Sequence, residues 1–344
     1  MTARRILWRW VIPVAGAGMA LVLLFALYRN LDLARLVAAL AAADARWLIA
    51  LAATILLEQF IRGFKWRQIL FDLKPISSGR LFGAILAGYG AATLVPLGIS
   101  PLVRSWLVAR MEQLRVASVL VTAAIERFID GIIFALIAGL VAVVGQVPSV
   151  EGNLRTGLAV AGALALALFA ALLWVLFRSR DTLARSDARI SQFIDRIVAK
   201  GGAWLEGLRA AIGDGIVWPR SQVRQAAIIL ASVAMKAVSA THFLWAGLSV
   251  GVVLGAFDYI FLMVFAGFAM VVSRFIRVPG GFVIGSAFAL KLLGVPDEQA
   301  LVMIVFNHVM SITLVVGIGL VVLWQSGLDI RKATGTRGSL DARA

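Results

Sequence analysis

The sequence predicts an all-α polytopic membrane protein with about six full spans and two Pro-broken re-entrant hairpins that form an inverted repeat. Three observations predict it. The 344 residues are 61% apolar, where a soluble domain averages about half. The apolar residues gather in runs of spanning length, Val11–Tyr28, Trp47–Ile61, Val116–Val144, Leu154–Phe177, Val223–Leu248 and Ala300–Trp324. Two further apolar runs, Leu81–Val95 and Tyr259–Val278, stop at a proline-centred break, Pro96 to Pro101 and Pro279-Gly280-Gly281. Proline lacks an amide donor and clashes with the preceding helical turn, so a straight helix does not pass through either break. The strict alternation of a transmembrane β-barrel is absent.

Arg4, Arg5 and Arg9 place the amino terminus in the cytoplasm. The first run lacks a small-x-small cleavage site and reads as a retained helix. Leu31–Ala45 has helical periodicity with Asp32, Arg35 and Asp44 on a minor face, the pattern of an interfacial helix on the outer side. The second span, Trp47–Ile61, carries Glu58 near its inner end, where it caps Arg62. A basic loop with Arg62, Lys65, Arg67, Lys74 and Arg80 is expected to follow in the cytoplasm. Leu81–Val95 is short for a span. Arg104, Arg110 and Arg115 stand just beyond the first break, and the charge rule keeps them inside if the chain enters, turns and returns.

Val116–Val144 then goes out and Leu154–Phe177 comes back. In the segment 178–220, arginines and Lys200 interleave with Ile190, Phe193, Ile194, Ile197, Trp204 and Leu208. It reads as a basic amphipathic helix on anionic inner-leaflet lipid. Val223–Leu248 goes out, Tyr259–Val278 meets Arg274 and Arg277 before the second break, and Phe282–Leu293 follows, too short to span. Gln299–Trp324 returns inward, and 325–344 is a polar, disordered cytoplasmic tail.

The domain plan is one transmembrane domain over 1–324. Within it, repeat 1 covers about 47–145 and repeat 2 about 223–324. Each repeat has an apolar half-helix with a Phe-Gly-Ala or Phe-Ala-Gly step (Phe82, Phe265), a Pro break, a short helix and a long helix with polar residues inside. The expected topology brings the first hairpin in from the cytoplasm and the second from outside, the inverted arrangement of alternating-access transporters with a midplane site.

Several function classes drop out. With no cysteine there is no disulfide or thiolate chemistry. Two histidines without metalloprotease spacing give no metal site, and no cofactor is expected. The net charge of +15, in a membrane protein, reports inside-positive topology and anionic lipid contact rather than nucleic acid. A Walker motif is absent, so the chain does not itself hydrolyse ATP, and so is an Asp-rich cluster of a polyprenyl transferase. No enzyme activity is expected.

The candidate substrate-binding residues are ionisable groups at membrane depth. Glu126, Arg127 and Asp130 sit roughly 15–20 Å into their run at about 1.5 Å per residue. Glu126 and Asp130 share a face at i, i+4. Charge at that depth is costly unless it is paired or wetted, so these residues line a polar site, pin the helices together, or do both. Arg104, Arg274 and Arg277 flank the breaks with planar forks suited to phosphate or carboxylate. Lys236 lies mid-span, in reach of Asp130 or Glu126, with His242 beyond it. Asn307 and His308 complete the set, the histidines as hydrogen-bonded structural residues and Asn307 as a helix–helix donor. Pro96, Pro101, Pro279, Gly280 and Gly281 are the hinge candidates.

The order Arg62-Gly-Phe-Lys-Trp66, Pro96 to Arg104, Glu126-Arg127-Phe-Ile-Asp130 and Pro279-Gly-Gly to Gly294 resembles the flippase-like transmembrane domain of the lysyl-phosphatidylglycerol synthases, over about residues 10–325. The resemblance implies an eight-helix-like flippase fold that moves lipid across the bacterial inner membrane, with both termini cytoplasmic. The resemblance covers the transmembrane domain and no synthase domain, so synthase activity is not expected to carry over. The chain departs from the family pattern at Ser100-Pro101, in place of Gly-acidic, and at Val283 and Ser286, where a Gly and an acidic residue are usual. The leading reading is a transporter of anionic or amphiphilic lipid, phospholipid, glycolipid or hopanoid-type. The alternative is a non-transporting scaffold that holds a lipid-biosynthesis enzyme through 178–220. A homo-oligomer is compatible with either.

Overall fold

A computed structural model describes residues 32–94, 100–144, 221–276 and 279–325, with isolated positions at 18, 22, 25, 156, 160, 163, 167 and 219. The expected first span, the span Leu154–Phe177, the basic segment 178–220, Pro96, Arg277 and the tail after Gln325 lie outside the described residues. Those described form nine helices and no strand: α1 Leu33–Ala41, α2 Ala45–Leu70, α3 Ser78–Leu94, α4 Ser100–Glu112, α5 Val116–Val144, α6 Gln222–Ser249, α7 Ala256–Ile276, α8 Gly281–Leu292 and α9 Asp297–Gln325.

Among these, four stretches are long and apolar enough to cross a membrane: Ala45–Leu70, Gln222–Ser249, Ala256–Ser273 and Asp297–Gln325. The stretch in α7, expected as one arm of a re-entrant hairpin, is 18 residues long. The second span is longer than expected. Helix α2 has 26 residues, about 39 Å at 1.5 Å per residue, and does not stop at Ile61. Arg62, Lys65 and Arg67 therefore belong to the helix and not to a cytoplasmic loop, and Arg62 and Lys65 are buried. Glu58, in turn, lies at mid-helix and not near its inner end.

One order of helix lengths occurs twice. A helix of 26 residues, a pair of 17 and 13, and a helix of 29 run from α2 to α5. A helix of 28, a pair of 21 and 12, and a helix of 29 run from α6 to α9. Within each pair the two short helices pack on each other, α3 on α4 and α7 on α8. In the second, Gly280 turns the chain at φ +78°, a left-handed conformation open to glycine. In the first, Pro101 is the second residue of α4, where a missing amide costs nothing.

The chain forms two compact units. One comprises Met1–Glu58, Arg127–Ile197 and Ser232–Met310, the other Gln59–Glu126, Val198–Ala231 and Ser311–Ala344. In the second unit, Trp66, Leu70, Leu81, Ile85, Leu107, Val119 and Leu323 centre an apolar core. Backbones approach closely there. A Cβ on Gly319 would collide with the carbonyl of Leu86, and one on Gly90 would come within 2.8 Å of the Gly319 carbonyl carbon. In the first unit, the α2 and α6 termini meet, with Asp44 N–H donating to the Ser249 carbonyl at 2.9 Å and Trp47 stacked on Trp245 at 5.6 Å. Aromatic rings continue inward as Phe243 on Phe282 at 5.9 Å and Phe282 on His308 at 5.2 Å.

Helix α4 ends on Gln113, a non-glycine residue at φ 59°, while Leu114 N–H donates back to the Ala109 carbonyl at 2.8 Å. That closure is the usual place for glycine, and a side chain there costs roughly 1–2 kcal/mol. Gln113→Gly is expected to raise the thermal unfolding temperature in detergent, and Gly319→Val to lower it sharply, both read by light scattering or intrinsic fluorescence.

Candidate functional site

The site is built on three helices of one unit. Helix α2 supplies Lys65 and Trp66, α4 supplies Arg104, and α5 supplies Glu126 and Thr122. Gly88 on α3 lets α4 lie close, because a Cβ there would come within 2.8 Å of the Ser100 carbonyl and 3.1 Å of the Arg104 Cβ. Arg104 thereby starts its side chain beside the packed pair and directs it inward. The Trp66 ring lies under the guanidinium, 4.7 Å from centroid to Cζ, a cation–π contact that strengthens when water is excluded. Trp66 Nε1–H donates to Thr122 Oγ1 at 3.0 Å, and Thr122 donates to the Val119 carbonyl at 2.7 Å. Those bonds fix the indole against α5.

Glu126 closes the arrangement. Its Oε2 is 2.6 Å from Arg104 Nη2 and its Oε1 is 3.4 Å from Lys65 Nζ, and both Lys65 and Glu126 side chains are 0% exposed. An isolated carboxylate in such surroundings costs far more than folding can supply, so the two cations are what permit it. Arg104, 1% exposed, also keeps its Nε and Nη1 atoms without a hydrogen-bond partner, as does Ser105 Oγ nearby in sequence. A buried guanidinium with open N–H groups is suited to an oxyanion.

The expected site residues divide. Arg104, expected beside the first break as a binding residue, is buried and pairs with Glu126. Glu126 and Asp130 are buried on the same helix while Arg127 between them is exposed. Lys236 places its ammonium 5.6 Å from the Phe134 ring centroid. Asn307 is buried on α9, and His308 next to it stacks on Phe282. Arg274 lies on α7, Pro279 and Gly280 form the turn before α8, and Gly281 opens that helix. Lys65, Trp66 and Thr122 were not anticipated. The signal for Lys65 was the apolar set Phe64, Trp66, Ile69 and Leu70, which continues the helical pattern through the basic residues.

A second cluster lies at the end of α4, outside the stretches long enough to span. Glu112 Oε2 is 2.9 Å from Lys74 Nζ and Oε1 is 2.9 Å from Arg80 Nη1. Lys74 also donates to the Glu112 carbonyl at 2.9 Å. The Lys74 hydrogen bond, ahead of the one from Arg80, holds the Glu112 carboxyl below the usual range against the opposing effect of burial. Among the described residues, no group of three or more His, Cys, Asp or Glu side chains is placed to hold a metal ion.

Four stretches of spanning length define a multi-pass membrane protein, and one of its units holds a buried charge cluster. The chain belongs to the family described as lysylphosphatidylglycerol synthase TM region, which matches residues 10–319. That family and these helices fit a membrane role connected with lipid. No curated protein matches the chain.

Two outcomes test the site. Glu126→Ala leaves Lys65 and Arg104 buried without their carboxylate and is expected to cost about 3–5 kcal/mol, with part of the loss recovered when Lys65→Met is added; detergent or urea titration reads both. Because the Glu112 carboxyl is lowered, its contribution is complete above the ordinary carboxyl range near about pH 4.3. It is lost as pH falls through the lower folded value. Glu112→Gln is expected to flatten the acid limb of stability against pH.

Proposed function

We propose that this protein moves an anionic or amphiphilic lipid between the leaflets of a bacterial inner membrane, with both termini in the cytoplasm. One observation carries the reading. A fully buried carboxylate is held between two cations, one of them an arginine with unpartnered N–H groups, where helix α4 follows a break in the chain. A structural anchor needs no charge there, and an apolar core would be cheaper. A site that admits a charged headgroup needs such groups at depth. The open N–H groups of Arg104 favour a phosphate-bearing lipid.

The repeated order of helix lengths supports an inverted repeat, with α3–α4 and α7–α8 entering from opposite faces as re-entrant hairpins. On this reading Arg104, Glu126, Arg127, Asp130, Lys236, Arg274, Arg277, Asn307 and His308 line the path. Pro96, Pro101, Pro279, Gly280 and Gly281 are its hinges. Lipid is moved chemically unchanged, so the protein is not an enzyme and takes no cofactor.

Proteoliposomes containing NBD-phosphatidylglycerol test this by dithionite quenching. Wild-type protein is expected to translocate the lipid. Glu126→Ala and Arg127→Ala proteins that remain monodisperse are expected to slow it about tenfold or more, equivalent to roughly 1.4 kcal/mol of barrier. Unchanged rates in both variants contradict the assignment.

A further inference from the structure

We propose that the turn between α4 and α5 is an anion site that takes a phosphate group, carried by a lipid headgroup or free in solution. The site is separate from the Glu126 cluster and holds whether or not the protein moves lipid. A cavity of about 370 Å³ lies there, lined by Leu73, Gln113, Leu114, Arg115 and Ser118. All five residues belong to one unit. Leu73 is three residues past the end of α2, a helix long and apolar enough to span. A helix of 26 residues outruns about 30 Å of hydrocarbon, so the cavity beyond its last turn reaches the headgroup layer.

The hydrogen bonds of this turn are one-sided, because its acceptors are occupied. The Ala109 carbonyl accepts from Leu114 N–H at 2.8 Å, and the Arg110 carbonyl accepts from Gln113 Nε2 at 3.3 Å. Lys74 donates to the Glu112 carbonyl at 2.9 Å, and the Glu112 carboxylate is held by Lys74 and Arg80. The donors fare differently. Val119 N–H bonds the Arg115 carbonyl at 3.2 Å, while the amides of Val116, Ala117 and Ser118 have no acceptor among the described residues, as at an uncapped helix start.

Ser118 sets this helix start apart. Its side chain is 5% exposed, lines the cavity and makes no hydrogen bond among the described residues. Thr122, one turn further along α5, satisfies its hydroxyl on a carbonyl three residues back, an escape that Ser118 does not take. A buried hydroxyl without a partner is costly. No acidic side chain stands in the first turn of α5 to supply the missing acceptor, and a helix start favours an anion. Arg115 and Asp72 each have interactions of their own, and the three amides and the hydroxyl bind an anion without them. Four donors suit the oxygens of a phosphate, and Leu73 and Leu114 suit the less polar arm of a phosphodiester.

The full chain in maltoside detergent is titrated with two probes, with unfolding temperature as the readout. Inorganic phosphate is compared with chloride at matched ionic strength, and dioctanoyl phosphatidylglycerol with dioctanoylglycerol, which lacks the phosphate. Wild-type protein is expected to be stabilised by at least one phosphate probe over its comparison. Ser118→Asp fills the site with its own carboxylate and is expected to raise the apparent dissociation constant about tenfold or more. Ser118→Ala keeps the amides and is expected to raise it about threefold. Without added anion, Ser118→Asp is expected to unfold at or above the wild-type temperature; if it does not fold, Ser118→Ala decides. Stabilisation by phosphatidylglycerol alone assigns the site to a lipid headgroup, and stabilisation by inorganic phosphate assigns it to the phosphate group itself. No stabilisation by either probe, or dissociation constants unchanged in the folded variants, overturns the site. Translocation plays no part in the readout, so a failed transport reading leaves this result intact.

Discussion

The negative charge of Glu126 is the constraint on which its unit depends. A carboxylate with no exposed surface is tolerable only if its partners arrive with it, and they come from helices distant in sequence. Lys65 and Arg104 must therefore meet Glu126 whenever the unit folds, and that requirement fixes how α2, α4 and α5 face one another. The hydrogen bond from Trp66 to Thr122 and the stacking of Trp66 under Arg104 make the arrangement specific as well as neutralised. Apolar packing around Leu81, Ile85 and Leu107 supplies the bulk of the burial but would tolerate several registers. The ion cluster tolerates one.

Small residues make the approach possible. Gly88 admits α4 against α3, and Gly90 with Gly319 admits α9 against the same helix. In lipid, where apolar side chains gain nothing by leaving their surroundings, close backbone contact and internal polar bonds carry the association. The glycines and the charges thus solve one problem together. The first bring helices near enough for the second to bond.

Much of the helical plan was readable from hydropathy and breaks. Val116–Val144 is α5 without change, and Val223–Leu248 and Gln299–Trp324 fall within one or two residues of α6 and α9. The proline and glycine stops mark where α4 and α8 begin because proline and left-handed glycine act on the backbone locally. What sequence could not supply was the partner of each charge. Arg62, Lys65 and Arg67 look like a cytoplasmic loop because charge density argues for water when no partner is in view. The partner of Lys65 is on α5. Glu58 and His242 each read as a local feature, and only the packing of α2 on α6 sets them against each other.

The most direct measurement of the central claim is a double-mutant cycle on Arg104 and Glu126, using Arg104→Gln, Glu126→Gln and the pair, with unfolding free energy read in detergent. If Glu126 is held by Arg104 in a dry interior, the coupling energy is expected to reach about 2–3 kcal/mol. A value near zero, with each single variant as stable as the wild type, would contradict the account.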